Sequence, residues 1–85
     1  MDLQFIGIDP ETGKNGSPTA WVDLESADIV IQSYTADEET QTRCVESTAK
    51  GHAKGIPAHE SVIRIPVRLV PVLREACDVA ERTQL

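Results

Sequence analysis

The sequence predicts an α+β fold: a small, mainly antiparallel sheet of three to four strands packed against one C-terminal helix. Three observations carry this expectation. First, Ile63, Ile65 and Val67 fall at every second position, whereas from Arg68 onward the apolar residues recur three and four apart. Second, two runs rich in β-branched and aromatic residues, 19–24 and 29–35, flank the polar quartet Glu25, Ser26, Ala27 and Asp28, a pattern that suggests a β-hairpin. Third, 85 residues make a single domain, 1–85, whose core must come from Ile, Val, Leu and Ala, because Phe5, Trp21 and Tyr34 are the sole aromatics. Trp21 and Tyr34 are expected inside that core.

Taken in order, residues 3–8 read as a first strand, with Leu3 and Phe5 on one face and Ile6 and Ile8 on the other. The strand stops at Asp9 and Pro10, and the turn formers of 11–18 make a loop. The hairpin of 19–35 would set three strands side by side in chain order. Residues 36–60 are expected to form a mobile loop: 36–46 has acids early, as a helix start prefers, but little apolar face, which leaves a short helix there as an alternative, and Gly51, Gly55 and Pro57 interrupt the stretch 50–57. A last strand is expected around 61–66, and a helix from Val67 or Arg68, with Pro71 tolerated in its first turn.

On that helix, Leu69, Val70, Val72, Leu73, Ala76, Cys77, Val79 and Ala80 occupy half of the wheel, and Arg68, Arg74, Glu75, Asp78, Glu81 and Arg82 the other half. Half a circumference exceeds the ~100° stripe that covers one surface. The expectation is that Leu69, Leu73, Ala76 and Ala80 face the sheet, leaving Val72 and Val79 as an edge for a partner or for the middle loop.

The net charge is −6, distributed unevenly: residues 1–42 hold nine Asp and Glu against Lys14 alone, whereas from Arg43 onward seven Lys and Arg face five acids. An acidic half repels phosphates and favours a basic partner. The N-terminal residues have neither a basic start nor an apolar run, and no later window approaches the ~20 apolar residues of a membrane span. A cytoplasmic location and no membrane partner are therefore expected, with Cys44 and Cys77 as free thiols.

Several chemical motifs are approached and missed. Gly7 to Lys14 departs from a phosphate-binding loop: five residues separate its glycines, Asn15 stands where a hydroxyl should hold magnesium, and Asp9 and Glu11 oppose phosphate. As a calcium loop beginning at Asp9, the same stretch lacks a ligand at Gly13 and a bidentate Glu at Ala20. Asn15, Gly16 and Ser17 match the glycosylation acceptor pattern only formally. Cys44, His52, His59 and Cys77 are zinc-ligand types without the close pairing that zinc sites use. Nothing in the sequence places His52 or His59 against Cys44 to activate it. No catalytic residue, metal site or cofactor is assigned.

The runs Phe5-Ile6-Gly7-Ile8-Asp9-Pro10, Ser17-Pro18-Thr19-Ala20-Trp21-Val22-Asp23, Asp28-Ile29-Val30-Ile31-Gln32 and Val62-Ile63-Arg64-Ile65-Pro66 together resemble small acidic actinobacterial proteins without an assigned activity. Some of those are encoded beside helix-turn-helix regulators, which implies an accessory role in bacterial regulation. The resemblance carries no functional residues with it. The leading expectation is a non-enzymatic protein-interaction or regulatory accessory module, working with a protein partner or as a homodimer. One alternative is a nucleic-acid-binding regulator that uses Arg64 and Arg68 near the strand–helix junction, although the acidic balance opposes nucleic acid. The other is a small enzyme or metal-binding protein.

Overall fold

The computed structural model describes residues 1–11, 13 and 16–84. Lys14 and Asn15, which figure in the phosphate-loop and glycosylation comparisons, lie outside the described residues. Where the sequence suggests a single domain with a loop over 36–60, the chain groups into two compact units. One is built from Met1–Ser33 and the chain from Ile65 onward, the other from Tyr34–Arg64.

The first unit is a three-stranded antiparallel sheet with a helix on one face, as the α+β expectation requires. Its strands are β1 (Leu3–Ile8), β2 (Thr19–Asp23) and β3 (Ile29–Gln32), in spatial order β1-β2-β3. The hairpin between β2 and β3 closes through the expected polar quartet. Asp23 N–H donates to the Asp28 carbonyl at 2.9 Å, Ala27 N–H donates to the Asp23 carbonyl at 2.7 Å, and the Asp23 carboxylate accepts from Glu25 N–H at 2.9 Å. Ala27 takes a left-handed conformation, φ 68°, to turn the chain.

Pairing of β1 with β2 shifts register between Phe5 and Gly7, so that Phe5 opposes Trp21 and Gly7 opposes Ala20. Ile6 is the extra residue of this bulge. A bulge reverses the alternation beyond it, and this corrects the expectation that Ile6 and Ile8 share a face. Ile6 packs on the core, whereas Ile8, opposite Thr19, points to the other side of the sheet.

The core lies between the sheet and α2 (Val70–Gln84), which continues from a 3-10 turn over Val67–Leu69. Pro71 falls in the first turn of α2, where its missing N–H has no intrahelical acceptor to lose. Ala20, Val22, Ala76 and Val79 are buried together, with Ile6, Leu24, Val72, Leu73 and Ala80 packed around them, and Leu69 is fully buried. Val72 and Val79 thus belong to the sheet-facing stripe and not to a free edge. The wheel predicts the width of the apolar arc, but the side chains beneath it decide where the arc is centred, and here Val72 lies over the bare backbone of Gly7. Cys77, on the apolar half of the wheel, is exposed.

The second unit contains a two-stranded antiparallel ladder, β4 (Tyr34–Thr35) with β5 (Ile63–Arg64), extended by a hydrogen bond from Ala36 N–H to the Val62 carbonyl at 3.0 Å. The strand expected around 61–66 therefore exists only over two residues and does not join the main sheet. Helix α1 (Glu38–Glu46) forms where the sequence favours a loop and leaves a short helix as the alternative. Its start is well specified: the Asp37 carboxylate accepts from Thr40 N–H at 2.8 Å, and Glu38 and Glu39 sit in the first turn, where the helix dipole favours acids. Sparse apolar periodicity hid this helix, and its capping signal was the better guide.

Candidate docking face

One face of the main sheet supports α2; the opposite face carries a row of exposed apolar side chains. Strand alternation puts Ala20 and Val22 toward the helix and Thr19, Trp21 and Asp23 away from it. The pairing registers then align Phe5, Trp21 and Val30 in one row across all three strands, on the side away from the helix. Leu3 and Ile8 flank the row on β1.

These apolar side chains are substantially open to solvent: Phe5 is 54% exposed, Ile8 49%, Leu3 42% and Val30 39%, with Trp21 half-buried among them. Tyr34, in the second unit, is also exposed. The aromatics expected in the core are therefore outside it. The helix approaches the sheet over Gly7, Ala20 and Val22, where bulky rings would not fit.

Phe5, Ile8, Thr19, Trp21 and Gln32 line a shallow open depression of about 590 Å³ that continues onto Asp9, Pro10 and Ser17. Its polar end is held by the Ser17 carbonyl, which accepts from the Thr19 hydroxyl at 2.7 Å and from the Gln32 amide at 3.0 Å. The Pro18 carbonyl accepts from Asp9 N–H at 2.8 Å, tying the ends of the loop together.

At that end Arg68, 39% exposed at its side chain, directs Nε at both oxygens of the buried Asp9 carboxylate, at 2.8 and 2.7 Å, and lies 3.7 Å from a Glu11 oxygen. The hydrogen bond from Arg68 holds the Asp9 carboxyl below its usual pKa. Burial opposes the shift, while Glu11 N–H, 3.0 Å away, and the guanidinium charge reinforce it. Asp9 is a structural anchor for the loop, and Arg68 is engaged by two carboxylates. Arg64, the other arginine considered for nucleic-acid contact, donates from Nη1 to the Thr40 hydroxyl at 3.0 Å within the second unit. Both are spoken for by partners in their own units.

The other end of the face is acidic. Asp23 ends β2, Asp28 opposes it across the hairpin, Glu25 lies in the turn, and the Asp2 carbonyl accepts from Leu24 N–H at 2.7 Å, bringing Asp2 alongside. The N-terminal ammonium lies 3.6 Å from the Glu25 carboxylate, and among the described residues no Lys or Arg side chain pairs with any of the four.

Cys44 and Cys77 are both exposed free thiols. Among the described residues no group of three or more His, Cys, Asp or Glu is placed to share a metal ion, and no helix is long and apolar enough to cross a membrane. Comparison with protein-family models, with curated proteins and with solved structures finds no match.

The exposed apolar face was missed in the sequence although its signal was there. Strands β1 to β3 carry apolar residues on both faces, but the chain supplies a single long amphipathic helix, which can cover only one of them.

Proposed function

We propose that this chain is a non-enzymatic protein-interaction module of the regulatory accessory kind, working through the open face of its sheet. The observation that carries this reading is the exposed row Phe5–Trp21–Val30, flanked by Leu3 and Ile8. Contiguous aromatic and aliphatic side chains rimmed by polar groups are the usual composition of an interface centre. The regulatory part of the proposal comes from the resemblance to small acidic actinobacterial proteins.

Engagement of Arg68 by Asp9 and Glu11 weighs against a DNA-binding role for that arginine, because a phosphate would have to displace two carboxylates. The test compares the wild-type chain with the double variant Phe5→Ser/Val30→Ser in light scattering and in affinity capture from native lysate. The wild type is expected to self-associate or retain a defined protein, and the variant to lose it while keeping its circular dichroism. A strictly monomeric wild type that retains nothing, or one that binds short DNA duplexes, overturns the proposal.

A further inference from the structure

We infer that the open sheet face takes a basic, apolar segment of a partner protein: side chains such as Leu, Val or Phe over the Phe5–Trp21–Val30 row, with Lys or Arg reaching the carboxylates at the hairpin end. This rests on the interaction reading above and adds the chemistry of the occupant.

Charge complementarity decides between occupants. The apolar centre is closed at one end by Asp23 and Asp28, with Glu25 in the turn paired to the N-terminal ammonium at 3.6 Å and no described Lys or Arg side chain pairing with any of the three. At the opposite end stand Asp9 and Glu11, and the cation there, Arg68, is already held between them. Docking a second copy face to face would set hairpin carboxylates against each other in one orientation, and in the other would set them against the Arg68–Asp9–Glu11 cluster, which still carries one excess negative charge; like charges set together across a desolvated interface are disfavoured. An acidic peptide or a nucleic-acid backbone meets the same opposition. A partner with Lys or Arg beside apolar side chains gains both from burial of the row and from pairing at its rim.

Photo-crosslinking of the full chain in native lysate tests this. Benzoylphenylalanine is placed at position 5 or at position 30, on the face, and at position 74 on the solvent side of α2 as a control. Crosslinked peptides are sequenced, so that the charge and apolar content of the captured segment are read directly. The expected result is that positions 5 and 30 both capture one segment carrying Lys or Arg next to apolar residues, and that position 74 does not. In binding to a synthetic peptide of that sequence, Asp28→Lys is then expected to weaken affinity on the order of fivefold, with a smaller dependence on salt than the wild type. Trp21, the sole tryptophan, should shift its emission to the blue as the row is covered.

Capture of a second copy of this chain, or of an acidic segment, overturns the inference and leaves the interaction reading standing. Capture from position 74 alone moves the interface to the helix and overturns both the inference and the reading that the open sheet face is the working surface. Absence of capture at all three positions overturns both.

Discussion

Val72 rests against the backbone of Gly7: a Cβ built on Gly7 would come within 2.9 Å of both γ-carbons of Val72. This close approach lets α2 settle on the sheet, and it arises from the bulge that turns Gly7, rather than Ile6, into the position opposite Ala20.

Gly7→Ala is therefore expected to destabilise the first unit by about 1–3 kcal/mol, the usual cost of overpacking a filled interior. The β-branched Val72 has little rotameric freedom in a helix to move aside. Urea unfolding followed by Trp21 fluorescence measures the effect. Adding Val72→Ala should recover part of the loss; a double variant no better than the sum of the two singles would show that this contact is not the cause.

The Asp9–Arg68 pair predicts a pH dependence of definite sign. The Asp9 carboxyl is held below its ordinary value by the Arg68 hydrogen bond, so its contribution to stability is complete above the unfolded-state pKa of about 3.9 and is lost as pH falls through the folded value. Asp37, lowered by its hydrogen bonds with Thr40, acts in the same direction in the second unit. Melting temperature should fall as the solution is acidified below about pH 4. Asp9→Asn should lower it at neutral pH and flatten the acid limb, and curves for the two proteins that run parallel would exclude Asp9 as a source of that limb.

Ala27 turns the β2–β3 hairpin at φ 68°, a conformation that costs a residue with a Cβ roughly 1–2 kcal/mol. Glycine removes this strain but adds freedom to the unfolded chain worth about 0.4–1 kcal/mol. Ala27→Gly is expected to stabilise the protein by about 0.5–1 kcal/mol. A fall in the urea midpoint would mean that the Ala27 methyl makes a contact that outweighs the strain.

Taken alone, the residues determined the local elements. Alternation and turn formers located β1, the 25–28 hairpin turn and the loop after Ile8, and the three-and-four spacing after Arg68 placed the C-terminal helix to within a turn, because these patterns depend only on neighbours in the chain. The extra helix, Glu38–Glu46, was specified by its cap and first-turn acids rather than by apolar period.

Tertiary structure decided the rest. Periodicity reports that a helix has an apolar arc and not which residue lies at its centre; Val72 sits in the space over Gly7, and Val79 is buried with Ala20, Val22 and Ala76. One bulge residue sent Ile8 to the opposite face from Ile6, and pairing registers between distant segments aligned Phe5, Trp21 and Val30 on the side without a helix. Long-range register and shape fit are properties of segments in contact, so the exposed apolar row became visible only when the strands were paired.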